Sequence, residues 1–99
     1  MLTIDINKDN EILIVSLNGR LDTNTASDLE EKIKENISGI EVLIFDLSSL
    51  SYISSAGLRI LLLSQKIMNK QGKMIVKNVT ETVSEIFSLT GFSEILKIE

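Results

Sequence analysis

Apolar and polar residues alternate strictly at the start of the chain: Leu2, Ile4 and Ile6 against Thr3, Asp5 and Asn7. A period of two predicts a strand with one wet face, near the edge of a sheet. Lys8-Asp9-Asn10 is a polar turn, and Ile12 to Leu17 is then almost continuously apolar. That run predicts a strand covered on both faces, and the short turn joins the two strands as an antiparallel hairpin. Gly19-Arg20-Leu21-Asp22 breaks the run. Beyond it Ala26, Leu29, Ile33 and Ile37 recur every three or four residues, with charged residues between them. This is the pattern of an amphipathic helix, with Asp22 or Thr23 as its N-cap and Gly39 where it stops.

Val42-Leu43-Ile44-Phe45 is apolar on both parities, which predicts a central parallel strand buried on both faces. Asp46 to Ser55 reads as a loop rich in hydroxyls. A second, strongly apolar helix is expected from about Ala56 to Lys70, ended by Gly72, and Met74-Ile75-Val76 is another buried strand. Thr82 and Glu85 have capping-box spacing. They would open a short helix that holds Val83, Ile86, Phe87 and Leu89 inside and ends at Gly91. Ile95 to Ile98 is expected as a last short strand. The order is β-β-α-β-α-β-α-β. Right-handed crossovers make this an α/β fold, a sheet with parallel strands and helices packed on it.

Composition narrows the possible chemistry. Ninety-nine residues make one domain, residues 1–99, and 43% apolar with 24% charged residues describes a folded, soluble chain. There is no Cys and no His, which removes disulfides, thiol chemistry, Cys/His zinc sites and imidazole acid–base catalysis. No carboxylates cluster along the chain, so neither a metal nor a cofactor is expected. Lys and Arg number 10 against 14 Asp and Glu, for a net charge of −4. With no basic excess, one Tyr, three Phe and no Trp, nucleic acid is not an expected partner. No apolar run approaches the roughly 20 residues of a membrane helix, and Met1 to Asp5 lacks the regions of a signal peptide. The expected location is the cytoplasm. Neither GxGxxG nor GxxxxGK[ST] occurs, which argues against a nucleotide-hydrolysing enzyme.

The informative stretch runs from Asp46 to Leu63 and contains Tyr52-Ile53-Ser54-Ser55-Ala56-Gly57-Leu58. With Gly19-Arg20-Leu21-Asp22, it resembles the STAS domain of the anti-sigma factor antagonist type. That family has a Gly-x-Leu-Asp turn after its second strand, and an aromatic–apolar–Asp–Ser–Ser/Thr–Gly–Leu segment opening its second helix. The resemblance implies a four- to five-stranded mixed sheet packed by three or four helices. It implies a regulator without catalytic residues that binds an anti-sigma factor with serine kinase activity, so releasing a sigma factor. The kinase phosphorylates a serine at the helix start and breaks the complex; a serine phosphatase resets it. Carried over position by position, the acceptor is Ser55, with Ser54 as the alternative. The sequence departs from the pattern twice: Ser54 stands where the family has Asp, and Ala56, which has no hydroxyl, precedes Gly57. The partner-binding surface implied is Asp22, Thr23, Ser54, Ser55, Ala56, Gly57, Leu58 and Arg59, on a monomer or weak dimer.

The residues also carry readings of their own. Either serine serves as a helix cap. A phosphate on Ser55 sits favourably at the positive end of a helix, so it acts on whatever docks there rather than on the fold. Arg59 lies one helical turn beyond Ser55, either placed to pair with that phosphate or solvated. Arg59, Lys66 and Lys70 form one basic stripe, and Ile60, Leu63 and Ile67 are the apolar residues that a one-sided covering would leave partly exposed. Asp46 closes the central strand, where it can hydrogen-bond the serine-rich segment. Two other functions fit the same residues: a small-ligand or nucleotide sensor at the second helix start, and a scaffold subunit of a signalling assembly.

Overall fold

The computed structural model describes residues 1–99. Strands β1 (Leu2–Asp9) and β2 (Ile12–Leu21) form the hairpin, turned at Asn10, whose φ is +55°. Then come α1 (Thr23–Asn36), β3 (Val42–Ile53), α2 (Ser55–Gln71), β4 (Lys73–Lys77), α3 (Glu81–Thr90) and the single turn α4 (Phe92–Ile95). The sheet order is β1-β2-β3-β4, with β1 antiparallel to β2 and β2, β3 and β4 mutually parallel. A bridge from Ile98 to Val76 adds a fifth, one-residue pairing outside β4.

Each parallel crossover steps one place in the same direction, so right-handedness puts every helix on the same face. Burial follows that geometry. Leu13, Val15 and Leu17 on β2 and Leu43, Phe45 and Leu47 on β3 are essentially buried, while Ile14, Ser16, Ile44 and Asp46 between them are half-buried. The single core joins these helix-facing residues to Leu29 and Ile33 of α1, Leu58, Leu61 and Met68 of α2, and Val83 and Phe87 of α3. Ile12, Ile14, Val42, Ile44 and Ile75 stand outside it. The expectation of strands covered on both faces is therefore corrected for β2 and β3, whose other face carries no helix, whereas β4 is buried at Met74, Ile75 and Val76 as expected.

Four further expectations are corrected. The stretch after Asp46 is strand as far as Ile53, because it pairs with the second half of β2 through two register shifts. The shifts carry Leu50 and Ile53 to the core side. Helix α3 opens at Thr80, whose side chain accepts the Val83 N–H, so the Thr82–Glu85 spacing is not its cap. Leu89 is 87% exposed rather than inside, since it points about 200° away from Phe87 around the helix. The Ile95–Ile98 strand is reduced to the end of α4 and the Ile98 bridge.

Candidate functional site

The two sequence marks, more than thirty residues apart, lie side by side. Arg20 pairs with Tyr52 and Leu21 with Ile53 in the β2–β3 ladder. The Ser54 N–H donates to the Leu21 carbonyl at 2.8 Å, and the Ser51 hydroxyl donates to the Gly19 carbonyl at 2.8 Å. The Arg20 guanidinium stacks 4.4 Å from the Tyr52 ring centre. Both strands end here, and each feeds a helix that starts on the same side of the molecule.

Those two helix starts are built differently. Asp22 caps α1: its carboxylate accepts the Asn24 and Thr25 N–H groups at 3.0 and 3.1 Å, and the Thr25 hydroxyl accepts the Asp22 N–H at 2.9 Å. These donors, the Thr25 N–H first, hold the Asp22 carboxyl below its ordinary 3.8. Ser54 caps α2: its backbone is extended and its hydroxyl accepts the Gly57 N–H at 3.3 Å. Ser55 is the first helical residue and is exposed. The two serines, alike as cap candidates in the sequence, thus separate: Ser54 closes the helix and Ser55 is displayed on it.

Gly57 lets α2 sit down on the strand ends. A β-carbon there would lie 2.6 Å from Leu21 Cγ and 2.9 Å from Ile53 Cγ1. Gly57 and Leu58 are buried, so of the surface assigned from the sequence they form the floor. Thr23, Ser55 and Arg59 are exposed, and Asp22, Ser54 and Ala56 half-buried. Thr23, Ala56 and Arg59 line one groove of about 480 Å³ between α1 and α2. The groove also takes in Ile60 and Leu63, named from the sequence as partly exposed apolar residues, and adds Ala26, Ser27 and Glu30, which the sequence did not assign to a surface. The signal for Ala26, Ser27 and Glu30 was the α1 face that holds and borders the buried stripe. Glu30 pairs with Lys34 at 3.0 Å, whereas Arg59 is in no ion pair. Arg59, Lys66 and Lys70 are all exposed along α2, Ile60 is buried, and Leu63 and Ile67 are half-buried.

Asp46 lies apart from the groove. It accepts the Ser48 N–H at 3.1 Å and the Asn78 amide at 3.3 Å. The Ser48 N–H is the main cause holding its carboxyl below the ordinary value. Asn78, at φ +59°, leads to Thr80, whose hydroxyl donates to the Leu50 carbonyl at 2.9 Å. Asp46 therefore anchors the β4–α3 connection to β3. No group of three or more metal-ligating residues forms, and no helix is long and apolar enough to cross a membrane.

A mixed sheet with helices on one side, and an exposed serine on a helix that starts beside a second capped helix, defines a small α/β domain built to present a surface. The model of the STAS domain family matches residues 3–99, and the chain belongs to that family. A relative from Bordetella bronchiseptica, BtrV, whose name assigns it to the anti-sigma factor antagonists, is 34% identical over 98% of this chain and 84% of its own. An anti-sigma F factor antagonist from Paenibacillus polymyxa is 30% identical over 98% and 86%. Among solved structures, an anti-sigma factor antagonist from Mycobacterium paratuberculosis superposes with a TM-score of 0.89 at 24% identity, covering 99% of this chain and 85% of that one. The unphosphorylated form of SpoIIAA superposes at 0.85 with 21% identity, covering 98% and 88%. These likenesses establish the fold expected from the sequence.

Proposed function

We propose that this chain is an anti-sigma factor antagonist. In this reading it docks an anti-sigma factor with serine kinase activity in the groove between α1 and α2, and is switched off by phosphorylation of Ser55. The observation that carries the reading is the division of labour at the α2 start: Ser54 makes the cap, and Ser55 stands exposed beside the groove. A phosphate on Ser55 adds about −1.5 to −2 of charge at neutral pH. The helix N-terminus and Arg59, one turn along with no other ion pair, tolerate that charge within the domain. A partner surface packed against Ala56, Thr23 and Leu63 does not. A serine phosphatase restores the docking form.

The test is capture from a lysate of the source cells with wild type, Ser55→Ala and Ser55→Glu as baits, identification of what is retained, and reconstitution with ATP. The expected result is an anti-sigma factor with a kinase fold on wild type and Ser55→Ala. Ser55→Glu should bind it at least about tenfold more weakly. ATP should add one phosphate to wild type and none to Ser55→Ala. Equal retention on all three baits removes the switch.

A further inference from the structure

We infer that the bare face of the sheet is a self-association surface, on which two copies of this chain pack sheet to sheet about a two-fold axis running along the strands. A run of parallel strands ordinarily has both faces covered. Here three parallel strands carry helices on one face only; on the other, Ile14, Val42 and Ile44 are half-buried and Ile75 is buried, all outside the core cluster. Ile12 is 42% exposed.

The register arranges this face in rows. Asp9, Ile12, Val42 and Lys73 are neighbours across β1 to β4; so are Asn7, Ile14, Ile44 and Ile75, and so are Asp5, Ser16, Asp46 and Lys77. The middle of the first two rows is thus aliphatic and that of the third is Ser16 and Asp46, with Asp5 and Asp9 on β1 and Lys73 and Lys77 on β4, beside which Ile98 bridges Val76. None of these four charges is in an ion pair within the chain.

That layout is self-complementary. Rotation by half a turn about an axis along the strands lays β1 of one copy over β4 of the other and keeps the rows in step. Asp9 then meets Lys73 of the second copy, Asp5 meets its Lys77, Ile12 meets its Val42, and Ile44 meets its Ile14. Each contact occurs twice, as a two-fold interface requires. Sheets pack about 10 Å apart, within reach of facing Asp and Lys side chains. The broad side of the molecule is 32 by 27 Å and the sheet fills only part of it, so one sheet face is no larger than the roughly 800 Å² per partner of a standard interface. Association is therefore reversible and concentration-dependent. The helix layers, with Ser55, face outward in such a pair, so a dimer presents two docking grooves.

Sedimentation equilibrium of the full chain, from micromolar to millimolar, tests this with one charge-reversed pair. Wild type should shift from the 11.0 kDa monomer toward twice that mass, less so as salt rises. Asp5→Lys with Asp9→Lys, and separately Lys73→Glu with Lys77→Glu, should each weaken self-association about tenfold or more. Asp5, Asp9 and Lys73 are exposed and Lys77, beside Asp46, is half-buried, and circular dichroism verifies the fold of each variant. The two variants mixed should associate with each other, because every reversed edge then faces its opposite. Three results overturn the proposal: wild type monomeric throughout the range, so that the face is left to another partner or to water; a wild-type dimer that both charge variants keep; or a mixture that stays monomeric.

Discussion

The Ser54 hydroxyl accepts the Gly57 N–H, so Ser54→Ala removes the hydrogen bond that closes the start of α2. Loss of such a cap costs about 1 kcal/mol, which lowers the melting temperature by roughly 4–8 °C in a domain of this size. Ser55→Ala removes an exposed hydroxyl outside the cap and should change stability by no more than about 0.5 kcal/mol. Thermal unfolding of the two variants side by side checks this, and a larger cost at Ser55 would exchange their roles. Sequence alone left both serines open to capping, because residue type and position before a helix are the same for both. What separates them is backbone: Ser54 is extended at φ −93°, ψ 175°, and Ser55 is already helical. The substitution of Ser54 for the family Asp fits this local role, since Ser and Asp are comparable caps.

Between elements, the site depends on how closely α2 rests on the ends of β2 and β3. Gly57→Ala puts a methyl against Leu21 and Ile53, both essentially buried, and overpacking of this kind costs about 1–3 kcal/mol. The variant should melt lower. Since Leu21 leads directly into Asp22, it should also bind the anti-sigma factor more weakly than its stability loss explains. Calorimetric unfolding and a binding titration on the same sample separate the two effects; unchanged affinity would mean that the helix absorbs the methyl without moving the groove. The hairpin, α1, α2 and the order of the parallel strands were legible because their periodicities are long and unbroken. Strand β3 was legible only to Phe45. Beyond it, register shifts at Ser16/Asn18 and Gly19/Arg20 space the core residues Leu47, Leu50 and Ile53 three apart instead of two. That spacing hides a strand among serines. The groove was half legible: Thr23, Ala56 and Arg59 belong to the surface implied by the resemblance and Ile60 and Leu63 were named as apolar residues open to exposure, whereas Ala26, Ser27 and Glu30 join it through the packing of α1 on α2, which local pattern does not encode.

Across the whole molecule, the two carboxyls with lowered pKa values hold opposite parts of one fold. Asp22 fixes the entry to α1, and Asp46 ties the β4–α3 connection to β3. Each is held below its ordinary 3.8 in the folded chain, Asp22 chiefly by the Thr25 N–H and Asp46 chiefly by the Ser48 N–H. The unfolded chain therefore takes up protons first as pH falls, and stability rises with pH through this range. The contribution of each carboxylate is fully present above 3.8 and is lost as pH drops through its lowered folded value. No histidine is present, so no imidazole adds a transition between pH 5 and 8. Denaturant unfolding at a series of pH values should show the midpoint falling steadily below about pH 4. Asp22→Asn and Asp46→Asn should each flatten that acid limb, because an amide accepts the same N–H groups but does not titrate. At neutral pH both variants should start lower, since each loses charge-assisted hydrogen bonds. If the acid limb keeps its full slope in the double variant, other carboxylates govern acid unfolding, and the two anchors hold the fold by geometry rather than by charge.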